Sequence, residues 1–206
     1  NLGLFYGMGK LKLQRELGLD SSRAKELFNE YHNKVPFVRR LSQELIKFAK
    51  ENKLLFTLHD RFCRFNKWET TNKEWNPETN RFTEVPLYTE HEAREAYKAE
   101  MLEKYKENKI DPNYMDYFER YYTPAFTYKA LNRLIQGSAA DMTKKAMVDL
   151  YEKGIIPHIQ IHDELCISVD SQYMINVIQN VMETTIPLEI SNKVNCKKGE
   201  NWGTIK

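Results

Sequence analysis

The stretch IQIHDELCISVD, residues 159–170, sets His162, Asp163 and Glu164 into the middle of an apolar run. Ile159, Ile161, Leu165, Ile167 and Val169 are residue types that favour a buried sheet. Two adjacent carboxylates fit poorly inside one, because desolvating an unpartnered carboxylate is strongly unfavourable. The pair is expected at a strand end or turn, or on a cation. If the chain reverses at 162–164, the carboxylates stand at the exposed tip of two strands, suited to holding a hard divalent cation against phosphate oxygens. Asp163 is then a metal ligand. These residues alone leave two other readings open: a polar turn without chemistry, and the His-Asp pair of a metal-dependent phosphohydrolase. The latter needs further His ligands, and no other histidine has convincing spacing.

Two further groups of residues could act on a nucleic acid. Asn132 and Gln136 are four apart and so share a helix face, and the run Gly137, Ser138, Ala139, Ala140 lets another backbone approach. Such amides can donate to the minor-groove acceptors that every correct base pair offers in nearly the same place, sensing pair geometry without reading sequence. They can equally be surface amides. In NLGLFYG, Gly3 and Gly7 are four apart and Tyr6 shares a face with Leu2, so the ring can stack on a base or join a core.

Helices are expected to position most of these groups. The chain opens at Asn1 without a Met, as if inside a helix under way, and reads as a piece of a longer protein. LKLQRELG reads as a short helix stopped by Gly18, and Ser21 or Ser22 can cap the next, with Ala24, Leu27, Phe28 and Tyr31 inward. Pro36 starts a third, with Val38, Leu41, Leu45 and Phe48 on one face. Residues 54–65 read as a strand or hairpin. Residues 66–121 change character and look like an insertion, whose charged stretch TEHEAREAYKAEMLEKYKEN reads as a solvated helix surface. From Tyr122 onward a helix with Leu131, Ile135, Met142, Ala146 and Leu150 inward runs to Gly154. The acidic strand pair, a helix over SQYMINVIQNVMETT and a closing strand in IPLEISNKVNCKKGENW follow. The fold class is α+β, an antiparallel sheet backed by helices.

Bulk properties narrow the classes. The 206 residues are 41% hydrophobic, enough for a real core. Lys and Arg number 31 against 29 Asp and Glu, so any basic surface must be local. Cys63, Cys166 and Cys196 are scattered and form no C-x-x-C pair, which argues against a disulfide framework or structural zinc and favours an intracellular, cytoplasmic setting. No run approaches a membrane span and no signal peptide is visible.

Taken in order, NLGLFYGMGKLKLQRELGL, ALNRLIQGSAADMTKKAM, IQIHDEL and the terminal GENW resemble the C-terminal part of family A DNA polymerases, over most of residues 1–65 and 122–206. The wording of ALNRLIQ and the divergent 66–121 segment look more like a phage member than a bacterial housekeeping enzyme. The resemblance implies the back half of the fingers (1–53), a return strand to the palm (54–65), the insertion (66–121) and part of the palm (122–206). It implies that Tyr6 stacks beside the templating base, with Gly7 the glycine that follows. Leu2 stands where an aromatic residue usually packs against the incoming sugar. Asn132 and Gln136 match amides that contact primer–template near the growing end. Tyr128 falls where bacterial members carry Arg, so that primer–template contact is either missing or supplied by Lys129. His162, Asp163 and Glu164 match motif C, Asp163 being the catalytic, metal-binding aspartate. The implied partners are primer–template DNA, deoxynucleoside triphosphates and the N-terminal remainder of the polymerase, with no membrane. The implied cofactor is Mg2+ in a two-metal site whose second carboxylate lies outside this chain, so the chain alone is expected to be inactive. Rival readings are a single-subunit RNA polymerase fragment, against which HDEL and QGSAAD speak, and a non-catalytic nucleic-acid-binding subunit or remnant.

Overall fold

A computed structural model describes residues 2–76, 78–79, 81–105 and 110–204, save the side chains of Leu2, Trp75 and Arg81. Packing divides the chain into two compact units, one of residues 1–56 and 60–134, the other of 57–59 and 135–206.

In the first unit, α1 (Leu2–Phe5) is a single turn closed by Gly7, whose φ of +83° lies in the left-handed region that side chains resist. The Gly7 amide donates to the Leu4 carbonyl and the Met8 amide to the Gly3 carbonyl, the bond pair of a Schellman helix end. α2 (Lys10–Leu17) stops at Gly18 as expected. The cap of α3 (Ser21–Lys34) is Asp20 rather than a serine: its carboxylate accepts the Arg23 amide at 2.9 Å while both serines lie inside the first turn. α4 (Pro36–Asn52) starts at its proline but presents a face rotated from the expected one. Val38 and Ala49 are buried and Leu45 and Ile46 half-buried, whereas Leu41 and Phe48 are exposed. The small Ala49 lets Leu55 and Phe65 pack close, and that contact sets the face.

Of the two forms expected for residues 54–65, strand or hairpin, the hairpin forms: β1 (Leu54–Phe56) pairs antiparallel with β2 (Phe62–Arg64), Leu55 opposite Cys63. Asp60 takes the left-handed conformation in the connection, which Asp tolerates better than most residues.

The 66–121 segment has its own core. β3 (Trp68–Thr70) pairs with β6 (Tyr122–Pro124), and β4 (Trp75–Asn76) with β5 (Arg81–Phe82). α5 (Glu90–Tyr105) opens on a capping box, the Glu92 carboxylate accepting the Thr89 amide at 2.7 Å. Its outer face is solvated, but Ala93, Tyr97 and Met101 recur every four residues and are buried. They join Trp68, Tyr122 and Phe118 of α6 (Phe118–Tyr121) in one cluster. Phe118 stacks on Tyr122 with centroids 5.5 Å apart, and Tyr97 donates to the Tyr114 carbonyl at 3.0 Å. A surface-helix reading missed this because the charges outnumber the three buried positions.

α7 (Ala130–Glu152) begins in the first unit and continues through the second. It ends at Gly154, φ +75°, where the Gly154 and Ile155 amides donate back to Tyr151 and Leu150. β7 (Ile159–Ile161) pairs antiparallel with β8 (Glu164–Cys166). α8 (Gln172–Thr184) is capped by the Ser171 hydroxyl, which accepts the Met174 amide. Leu150, Ile155 and Val181 form the core here, with Leu165, Ile167 and Met174 packed on it. Of the apolar residues in this run, Leu165 and Ile167 pack on that core, whereas Ile159 and Ile161 of the two-stranded ribbon and Val169 beyond it are exposed. The expected closing strand does not form among the described residues. Side chains of α8 take up the backbone of that segment instead, Glu183 accepting the Val194 amide at 3.0 Å and Gln179 donating to the Val194 carbonyl. Strand-forming residues need a partner edge, and here the backbone bonds go to a helix face.

Candidate active site

The β7–β8 register, Ile161 opposite Glu164, leaves His162 and Asp163 as the two-residue connection of the hairpin. Two-residue hairpin loops need positive φ at a central position to match the twist of their strands, and His162 supplies it at +52°. A left-handed His costs on the order of 1 kcal/mol, and such strain is found where a site requires the geometry. The Gln160 side chain donates to the His162 carbonyl and braces the turn. Sequence reasoning missed Gln160, although a polar residue between Ile159 and Ile161 was a signal for it.

His162, Asp163 and Glu164 are all exposed. Neither carboxylate has a hydrogen-bond or ion-pair partner among the described residues, so two adjacent hard-oxygen donors face outward unneutralised. That is the donor chemistry Mg2+ prefers. The described residues contain no cluster of three or more His, Cys, Asp or Glu able to hold a metal, so the pair is at most part of a coordination sphere.

Asn132 is half-buried and Gln136 exposed, four residues apart on α7. Two residues further on, the buried Ser138 hydroxyl accepts the Leu58 amide at 3.1 Å, which fastens the β1–β2 connection to α7. Ser138 entered the sequence reading only as a small residue.

Tyr6 is half-buried with its ring edge-on to Phe5, centroids 5.3 Å apart. A methyl group added at Gly7 would lie 4.0 Å from the Tyr128 carbonyl, so the turn after α1 sits beside the segment that leads into α7. Lys129 is exposed, with its ammonium 5.0 Å from the Phe126 ring and 5.7 Å from the Tyr128 ring. The expected contact of the Leu2 side chain lies outside the described residues.

The site is therefore an acid-tipped antiparallel hairpin backed by helices, in an α+β fold. Residues 1–204 match the DNA polymerase family A, and the chain belongs to that family. The match takes in residues 66–121 as well. The chain is 28% identical to a DNA-directed DNA polymerase of Pseudomonas phage M6, over 98% of its own length and 28% of the relative's. It is 26% identical to DNA polymerase I of Caldicellulosiruptor bescii, over 100% of its length and 20% of that enzyme's. The chain thus spans between a fifth and somewhat over a quarter of these relatives. In fold it is similar to the POL domain of Pol1 from M. smegmatis, solved in complex with DNA primer-template and dNTP. The TM-score is 0.57 at 20% identity, over 92% of this chain and 27% of that one. Among the described residues no helix is long and apolar enough to cross a membrane.

Proposed function

We propose that the chain supplies the fingers-to-palm part of a DNA-directed DNA polymerase that adds deoxynucleotides to a primer 3′-hydroxyl, acting with the rest of the polymerase. The observation that carries this is the outward-facing Asp163–Glu164 pair at a two-residue turn, without a partner among the described residues, in a chain of family A. Residues 1–53 belong to the fingers, 54–65 return the chain to the palm, 66–121 form an accessory segment and 122–206 belong to the palm.

Asp163, with Glu164 beside it, would hold Mg2+, which would supply positive charge to offset that of the phosphates. The further carboxylate needed for two ions comes from residues outside this chain. Left-handed His162 aims the two acids by fixing the turn. Tyr6 stacks beside the templating base, Gly7 lets the chain turn there without strain, and Leu2 lies at the incoming sugar. Asn132 and Gln136 donate to minor-groove acceptors of the newly formed pairs, and Lys129 contributes positive charge toward the primer–template backbone.

The test is Asp163→Asn in the full-length polymerase, which removes one negative charge from the ion and leaves the groove contacts in place. Single-nucleotide incorporation should fall by on the order of hundredfold or more, with primer–template affinity within about threefold of the parent. Near-normal incorporation would overturn the assignment.

A further inference from the structure

The near-neutral charge of the whole chain conceals a partition. Residues 66–121 carry thirteen Asp and Glu against nine Lys and Arg, and the rest of the chain sixteen against twenty-two. A segment with excess negative charge repels a phosphate backbone, so the DNA-binding reading does not absorb it. Yet this segment holds a cavity of about 290 Å³, lined by Tyr97, Tyr105, Tyr114, Tyr117 and Tyr121 with Asp111 and Arg120 among them. Exposed Glu100 and Asp116 adjoin the lining residues Met101 and Tyr117 in sequence.

Rings with acidic neighbours attract cations through the negative faces of their π-systems. The segment already uses this chemistry internally: the Arg94 guanidinium sits 4.6 Å over Phe118, that of Arg120 4.7 Å over Tyr117, and the Lys104 ammonium 5.4 Å from the Tyr105 ring. Tyr97 lies 5.1 Å from Tyr121 and 6.0 Å from Tyr114, centroid to centroid, with no basic side chain over any of these three among the described residues. Asp111 is exposed, and among the described residues its carboxylate accepts only the Asn113 amide, at 2.8 Å.

We propose that this tyrosine-lined cavity is a docking site for a partner protein, receiving a Lys or Arg side chain from a basic segment with Asp111 as its counter-charge. The acidic excess of the segment selects a basic polypeptide over a nucleic acid, and the rings set where the cation sits.

The probe is a fluorescein-labelled peptide of alternating Arg and Ser, titrated with the full-length protein at physiological salt and followed by anisotropy. The parent should bind it saturably. Tyr105→Ala and Asp111→Asn should each weaken binding by about fivefold or more, whereas Tyr105→Phe, which keeps the ring face, should stay within about twofold. Glu84→Gln removes the same charge outside the cavity and should also stay within about twofold. Tyr105 is 42% exposed, so its replacement leaves the core intact. Absence of binding by the parent, or equal weakening by Glu84→Gln, overturns the proposal. So does a labelled oligothymidylate that binds the parent and is lost on Tyr105→Ala, since the rings would then serve to stack bases.

Discussion

In the aromatic segment of residues 66–121 buried side chains meet partners, while at the β7–β8 turn the chemically able groups meet none among the described residues. Trp68 is 1% exposed, its amide donates to the Tyr88 carbonyl at 2.8 Å, and its ring packs beside Phe118. Asp163 and Glu164 face outward and the residue before them is held in left-handed backbone. The contrast separates two uses of a polar or aromatic group. Where contacts are mutual, removal of a group is felt as lost stability. Where a group has no internal partner, removal is felt only when a ligand arrives.

The sharpest way to break that contrast is Trp68→Ala. It should cost about 3–5 kcal/mol, read by denaturant unfolding, because a large ring is deleted from a filled cluster. Asp163→Asn should leave the same measurement within about 0.5 kcal/mol of the parent, as surface changes do. A destabilised Asp163→Asn would mean that the turn carries structural contacts of its own.

At the first helix, Leu2→Tyr should raise dideoxynucleotide use relative to normal nucleotides, since a tyrosine hydroxyl can stand in for interactions of the missing 3′-hydroxyl. Leu2→Phe should change it less. About 1.4 kcal/mol of altered transition-state interaction would move the ratio of specificity constants tenfold. If single-nucleotide incorporation with paired substrates shows an unmoved ratio, Leu2 does not face the sugar.

A smaller effect is expected on α7. Asn132→Ala or Gln136→Ala removes a donor of about 1 kcal/mol, so extension from a correct terminus should slow by roughly fivefold and mismatch discrimination should change. Unchanged kinetics on matched and mismatched primers would make both surface amides.

The smallest effect tests a residue that shares a unit with the hairpin but is fully engaged. Asp149 accepts from the Lys145 ammonium and, at 2.6 Å, from the Thr185 hydroxyl. The bond from Lys145, then that from Thr185, holds its carboxyl below the usual value of 3.8. A depressed carboxyl stabilises the fold above its unfolded pKa, and the contribution is lost as pH falls through the lower folded value. Asp149→Asn should therefore melt below the parent near neutrality, by about 1 kcal/mol or less, and the gap should close below about pH 3.8. A gap that persists in strong acid would point to packing rather than charge.

Much of the candidate site was legible in the residue order. His162–Asp163–Glu164 could be assigned to a strand end or turn because carboxylates avoid a dry sheet, and the register puts His162 and Asp163 in the turn and Glu164 at the start of β8. Gly18 and Gly154 could be assigned to helix ends because only glycine enters the left-handed region freely. These are decisions made within about five residues, by backbone sterics and the nearest hydrogen bonds. The motif order carried the family, and residues 1–204 match it.

Tertiary structure alone decided which apolar residues find cover. Tyr97 is buried because Trp68, Phe118 and Tyr122 come to it from both sides in the chain, although the helix bearing it reads as solvated. Leu41 and Phe48 remain exposed because the hairpin at 54–65 settles on Ala49 instead. The stretch after Ile186 forgoes its strand because Glu183 and Gln179 already occupy the backbone of Val194. Local sterics act on each residue wherever the chain goes, whereas burial and strand pairing depend on partners distant in sequence, which residue types and spacing do not specify.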